Sequence, residues 1–349
     1  MRRLAFAVPG NLDTPTGGYA YDRRIIAGLR RLGWHVAVIG LGEGFPWPSD
    51  QTRAAVHTKL MAVPRGDPIV IDGLAFGVLP DVGQALSSDH PLVALIHHPL
   101  ALESGLSCEQ VATLRDSERA ALAAAVRVVA TSAATARCLA ADFMVPAERV
   151  SVAPPGTDPA PRARGSGSDI VQLLSVGSVV PRKGFDVLVA ALAHLAELPW
   201  HLTVAGDRSR DAKAAANLDA DIARFNLSDR VTVLGAVSAA RVGELYDRAD
   251  LFVLASRFEG YGMAYTEAIA RGLPIIGTSA GAIPEAVPAE AAILVAPDDA
   301  MALASALRHL ITIPRARYEF AAGAWRAAGR LPTWQDSAKI FAGILDSIA

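Results

Sequence analysis

Short apolar runs alternate with amphipathic segments along most of the chain. The run Leu4–Val8 is followed by a helical pattern over Tyr19–Leu32, with Ile25, Leu29 and Leu32 on one stripe. Gly33 closes that helix, and His35–Ile39 reads as the next strand. Ile69–Ile71 and Leu92–Ile96 predict further strands, and Val126–Thr131 closes this half. Apolar strands alternating with helices specify a parallel sheet covered on both faces. Such sheets bind ligands beyond the carboxyl ends of their strands, so the loops there are where chemistry is expected.

Between Ala153 and Asp169 the pattern stops. Pro154, Pro155, Gly156, Pro159, Pro161, Gly165 and Gly167 break any regular element and mark a linker. The alternation then restarts with strand Val171–Val176, helix Phe185–Leu198, strand His201–Ala205 and a helix over Ala212–Phe225. Strand Val231–Leu234, helix Ala239–Asp247, strand Leu251–Ala255, helix Met263–Ala270 and strand Pro274–Thr278 follow. This predicts a second doubly wound unit, with a ligand cleft expected between the two. The tail, Thr333–Ile348, is a last amphipathic segment able to pack back onto the first domain.

Composition narrows the class. A chain of 349 residues suits two domains, and 52% hydrophobic with 19% charged residues excludes a disordered or fibrous protein. The 33 basic and 35 acidic residues leave a net charge of −2, and residues 1–155 hold 14 of each sign, so neither half is basic. Binding nucleic acid through its phosphates needs a basic surface, which disfavours that partner. Cys108 and Cys138 belong to no CxxC or His-rich cluster and read as buried structural thiols in Ala-rich surroundings. Met1-Arg2-Arg3 before Leu4–Val8 resembles the start of a signal peptide, but Pro9-Gly10 cuts the run short and a first strand fits better. The longest charge-free apolar stretches, near Leu32–Gly42, Pro91–Leu102 and Gly272–Pro284, are far too short to span a membrane. A cytoplasmic location is expected.

Four loops at strand ends hold the candidate chemistry. The densest is Ser256-Arg257-Phe258-Glu259-Gly260-Tyr261-Gly262-Met263, which leaves a strand and enters a helix containing Glu267. Gly260 and Gly262 let the backbone approach a ligand, and the amides at the helix start form an anion site. Glu259 and Glu267, beside it, are suited to accept hydrogen bonds from hydroxyls flanking a diphosphate; solvated charges are the plain alternative. Gly177-Ser178-Val179-Val180-Pro181-Arg182-Lys183-Gly184 places two cations where a phosphoryl leaving group would need them. Thr14-Pro15-Thr16-Gly17-Gly18-Tyr19 is a glycine loop before the first helix, and His97-His98 follows the strand Leu92–Ile96.

Taken together, these loops resemble those of the retaining glycosyltransferases of family 4, whose architecture is GT-B: α/β, two doubly wound Rossmann-like domains facing each other across a cleft. Glu259 and Glu267 match that family's Glu–seven residues–Glu signature, Arg182-Lys183-Gly184 its basic pair, and Gly17-Gly18 its N-terminal glycine loop. The resemblance implies transfer of a hexose from a nucleoside-diphosphate sugar to a hydroxyl on a glycan, a lipid-linked acceptor or a small molecule. Glu259 would bind hexose hydroxyls, Glu267 the ribose, and Arg182 and Lys183 the diphosphate, with no metal and no further cofactor. Gly18, Tyr261, Gly262 and Met263 would offer backbone amides to phosphate and sugar. Gly206-Asp207 and Gly235–Val237 would flank the base, and His97, or its neighbour His98, would lie beside the transferred sugar. Retention is usually explained by front-face attack in which the leaving phosphate helps to deprotonate the acceptor, so no carboxylate nucleophile is required.

The resemblance divides the chain into an acceptor-side domain at 1–155, a linker at 156–169, a nucleotide-sugar domain at 170–330 and a returning helix at 331–349. Where similar sequences often have Gly-Gly before Pro-Glu, this one reads Ala280-Gly281-Ala282-Ile283-Pro284-Glu285, which puts a role for Glu285 in doubt. Asp219-Ala220-Asp221 imitates a metal-binding DxD but lies in a helical pattern, and Gly40–Gly44 lacks the spacing of a dinucleotide fingerprint. Arg23, Arg24, Arg30 and Arg31 form one basic stripe, either solvated or touching anionic headgroups at the membrane's inner face. A non-catalytic sugar-nucleotide binder and a GT-B-like epimerase are the alternative readings.

Overall fold

The computed structural model describes residues 2–14 and 16–348; Pro15 of the glycine loop and the termini Met1 and Ala349 lie outside the described residues. The chain divides into two units, Met1–Gly156 with Pro332–Ala349, and Thr157–Leu331.

The first unit holds one parallel sheet of strands β1 (Arg3–Val8), β2 (His35–Gly40), β3 (Ile69–Asp72), β4 (Leu92–Ile96), β5 (Arg127–Ala130) and β6 (Val150–Val152), in the order β2-β1-β3-β4-β5-β6. Leu4–Val8 and all of β3 and β4 are buried, as strands covered by helices on both faces must be. The half does not close at Val126–Thr131: β6 pairs in parallel with β5, Val128 opposite Val150. Its three residues are only half-buried and centred on a serine, so hydrophobic pattern alone does not reveal it. The first helix, Gly17–Arg31, starts at Thr16, whose side chain accepts from the Tyr19 amide.

The helix Trp334–Asp346 completes this unit. It opens on a reciprocal Thr333–Asp336 cap and buries Trp334, Ala338, Phe341 and Leu345. A Cβ on Gly28 would fall 2.4 Å from that of Ala338, and Ser337 donates to the Pro154 carbonyl at 2.6 Å. The Gly28–Ala338 contact requires glycine for close helix packing.

The second unit repeats the design with β7 (Val171–Val176), β8 (Trp200–Ala205), β9 (Val231–Val233), β10 (Leu251–Val253), β11 (Ile275–Thr278) and β12 (Ala292–Val295), ordered β12-β11-β10-β7-β8-β9. Strand order reverses between β7 and β10, the switch point beside which doubly wound sheets take ligands. The helix expected over Phe185–Leu198 ends at Ala193, and the chain continues in tighter turns, the Leu195 amide donating to the Leu192 carbonyl at 2.9 Å and Leu198 to Leu195 at 3.0 Å, before Pro199 and β8.

Residues 156–169 meet the unit boundary at Gly156, and from Thr157 onward they run along the second unit. Thr157 donates to the Thr266 hydroxyl at 3.0 Å, the Ala163 amide to the Arg271 carbonyl at 2.8 Å, and Ser166 to Asp250 at 2.6 Å. The cysteines are not the buried thiols expected: Cys108 is exposed at the first turn of its helix and Cys138 is half-buried.

Candidate functional site

In the second unit the switch point brings together the loops after β7 and β10. The first passes through a short turn, Pro181–Lys183, into a left-handed Gly184 (φ 64°). A Cβ there would lie 2.0 Å from the Ala255 carbonyl oxygen, so only glycine lets the loops meet. The Arg257 amide donates to the Arg182 carbonyl at 2.7 Å. The Arg257 side chain adds bonds to Asp186 and to the Pro181 carbonyl.

Glu259 lies between these loops, 6% exposed. Lys183 Nζ reaches its Oε1 at 2.5 Å, Arg182 its Oε2 at 3.3 Å, and Ser256 Oγ donates to Oε1 at 2.6 Å. Burial alone would raise this carboxyl, but the charges of Lys183 and Arg182 outweigh it and hold it at about 2. The result is an ionised carboxylate and two cations in a nearly dry place. Gly281 supports it from behind: its Cβ would lie 2.3 Å from the Glu259 carbonyl oxygen, which accepts from the Ala282 amide at 2.9 Å. The sequence departure at Ala280–Glu285 therefore keeps the one glycine that packing demands, while Glu285 is exposed.

Glu267 is held separately, on the helix Met263–Ala270, which begins at a left-handed Gly262 (φ 96°). Burial raises its carboxyl, against the Tyr246 hydroxyl, which donates to Oε2 at 3.1 Å. The loops after β8 and β9 are stitched to the first. The Gly206 amide donates to the Gly235 carbonyl at 2.9 Å, Val179 to Asp207 at 2.8 Å, and a Gly206 Cβ would meet Gly177 O at 1.8 Å. The Asp207 carboxylate is occupied by Ser209, and Val237 sits half-buried just before the helix Ala239–Arg248. A cavity of about 540 Å³ at the opposite end of β7, lined by Arg164, Gln172 and Arg248, includes none of these residues.

The first unit has its own cluster at its own switch point, between β1 and β3. His97, just past β4, places Nε2 3.2 Å from Asp22 Oδ1 and 3.3 Å from Asp72 Oδ2. Gly18 packs on the ring edge, where a Cβ would sit 3.4 Å from Cδ2, and Tyr21 meets the ring edge-on at 5.2 Å. His98 instead pairs with Glu103 at 3.2 Å. Burial would lower His97, yet the two carboxylates raise it to about 10. Among the described residues, Asp22, Asp72 and His97 are the one trio close enough to share a metal ion. A metal ion there would compete with the imidazole proton, because only the neutral ring coordinates.

Asp22 and Asp72 are absent from the candidates drawn from sequence, although a signal exists. Asp22 occupies the buried stripe of Ile25, Ile26 and Leu29, and Asp72 ends an otherwise apolar strand. A carboxylate on an apolar face needs a partner. The arginine stripe on the same helix is engaged within the unit: Arg24 lies over the Trp334 ring, and Arg23 and Arg30 donate to the Leu12 and Val36 carbonyls. No helix among the described residues is long and apolar enough to cross a membrane. Asp219 pairs with Arg208 and Asp221 with Arg224, on the helix Ala212–Arg224.

Residues 20–161 match a family model described as Glycosyltransferase Family 4, and residues 171–312 one described as Glycosyl transferases group 1. An MMP alpha-(1->4)-mannosyltransferase from Mycolicibacterium hassiacum is 26% identical over 316 residues, covering 84% of this chain and 74% of the relative. D-inositol 3-phosphate glycosyltransferases match at 30% to 33% identity, but the chain spans only 38% to 64% of their length. Sucrose-phosphate synthase from Thermosynechococcus elongatus superposes with a TM-score of 0.84 at 21% identity over 99% of both chains. Anabaena HepE, solved with UDP-glucose, gives 0.77 at 22% identity over 98% of this chain and 99% of its own. At these identities the solved structures establish the fold, two Rossmann-like domains of the GT-B type. With the two family models together matching most of the chain, it belongs to the family-4-like glycosyltransferases.

Proposed function

We propose that the protein moves a hexose from a nucleoside-diphosphate sugar to a hydroxyl acceptor with retention of anomeric configuration. The observation that carries this reading is the buried Glu259 gripped by Lys183 and Arg182 at the switch point of the second sheet. A carboxylate kept ionised there accepts hydrogen bonds from sugar hydroxyls, and the two cations release toward the diphosphate when the donor enters. Glu267 takes the ribose hydroxyls, and the amides of Tyr261, Gly262 and Met263 face the phosphates at a helix start. Within the first unit, His97, Gly17 and Gly18 are the residues assigned to substrate contact. A UDP-sugar donor is consistent with the UDP-glucose of Anabaena HepE, and a hexosyl group with the mannosyltransferase relative.

In the transfer, the bond from C1 to the leaving phosphate oxygen breaks while the acceptor oxygen attacks on the same face. The acceptor proton passes to that phosphate oxygen. Arg182 and Lys183 neutralise the charge that grows on the diphosphate, the task a metal performs in other glycosyltransferases. The test is a panel of sugar nucleotides in a thermal-shift assay, then transfer to simple glycosides with the product anomer read by NMR. Retaining transfer that persists in a chelator and is abolished in Lys183→Ala, with the fold intact, is the expected result. Donor binding without turnover would make the protein a sugar-nucleotide binder, and an inverted product would overturn the mechanism.

A further inference from the structure

Two buried carboxylates converge on one nitrogen of His97. Asp22 is fully buried on the first helix and Asp72 is 3% exposed at the end of β3, each within 3.3 Å of Nε2. Ionised carboxylates only accept hydrogen bonds, so while both carboxyls are ionised Nε2 carries a proton. A neutral ring would then leave two negative charges side by side in a dry place, which is strongly unfavourable. An imidazolium cancels one of them. Part of the other is met at Asp72, whose Oδ1 accepts from the Leu74 amide at 2.7 Å. Burial and the charge of Asp72 raise Asp22 to about 7.

We propose that Asp22 and Asp72 are positioning residues that keep His97 an imidazolium across the neutral range, so that it meets substrate as a hydrogen-bond donor and never as a general base. With Nε2–H committed to the carboxylates, the remaining donor is Nδ1–H, which suits a sugar hydroxyl oxygen or a phosphate oxygen. Deprotonation of the acceptor is thereby left to the leaving diphosphate. The direction of the His97 shift agrees with this geometry. The other polar neighbours do not oppose it. Tyr21 presents its ring edge and is itself raised by burial, Thr131 donates to the His97 carbonyl, and His98 and Glu103 pair with each other.

The substrate role rests on the function proposed above, whereas the charge state of His97 does not. NMR of the full chain with ¹⁵N-labelled histidine, the His97 signals assigned through His97→Gln, separates the two. Both ring nitrogens of His97 are expected to stay protonated to pH 9. In Asp22→Asn and Asp72→Asn the titration midpoint falls by one unit or more, and kcat/KM acquires a pH limb that the parent lacks. A neutral His97 tautomer in the parent at pH 7.5 would overturn the proposal. So would specific loss of the His97 signals on adding stoichiometric Zn²⁺ at pH 7.5, which would make the trio a metal site. The expected spectra without any glycosyl transfer would sink the functional reading and leave the charge assignment standing.

Discussion

Glu259→Gln keeps the shape of the buried side chain and removes its charge. In the parent the carboxyl is held at about 2, against an ordinary 4.5, because Lys183 and Arg182 outweigh burial. A depressed native pKa means stabilisation that is complete above pH 4.5 and lost as pH falls through about 2. At about 1.4 kcal/mol per pKa unit, ionisation is worth roughly 3 kcal/mol at neutral pH and about half that at pH 3. For a unit the size of Thr157–Leu331, about 3 kcal/mol corresponds to a fall in Tm of roughly 6–12 °C. Scanning calorimetry of parent and variant at pH 7 and pH 3 tests this. The variant should lose much more at pH 7 than at pH 3, where the parent has already surrendered part of its advantage. Equal losses at both pH values, or a shift under about 2 °C at pH 7, would refute the assignment of Glu259 as an ionised, cation-held carboxylate.

Gly281→Ala puts a methyl group 2.3 Å from the Glu259 carbonyl oxygen and should displace that loop, with a Tm drop and a rise in donor KM measured together. Tyr246→Phe removes the hydroxyl that favours ionised Glu267. Its carboxyl rises further, so donor affinity, followed by calorimetric titration, should reach its plateau at a higher pH than in the parent. Glu118, buried beneath the turn Leu100–Leu102, accepts from the Leu100 and Ala101 amides and is raised by burial to about 7. A carboxyl raised in the folded state costs stability as pH climbs from its unfolded value through about 7, and Glu118→Gln should flatten that decline in urea titrations.

The reach of the sequence follows burial. Leu92–Ile96 can be read residue for residue because all five positions are apolar and all five are covered. The strand β6 is three half-buried residues centred on a serine at a sheet edge, so nothing in its pattern sets it apart from loop, whereas β12, at the edge of the other sheet, is apolar throughout. The helix Asp50–Met61 buries only Val56 and Leu60 and shows no apolar stripe to detect. Among the site residues, Glu259, Arg182 and Lys183 stand in loops whose glycines and placement after strands announce them. Asp22 is written among Tyr21, Arg23 and Arg24 as if it were one more solvated charge, and its partner at Asp72 is distant in sequence. Only the fold shows that their charges meet.

The return of the helix Trp334–Asp346 to the first unit bears on the order in which the protein matures. A ribosome making this chain finishes all of Thr157–Leu331 before Trp334, Phe341 and Leu345 exist. Until then Gly28 lacks the surface it packs against, and Phe6 of β1 lacks the Phe341 ring that lies 6.4 Å from its own. Domains commonly fold in the order they are synthesised. Here the second unit can be completed before the first, whose last helix is synthesised after it.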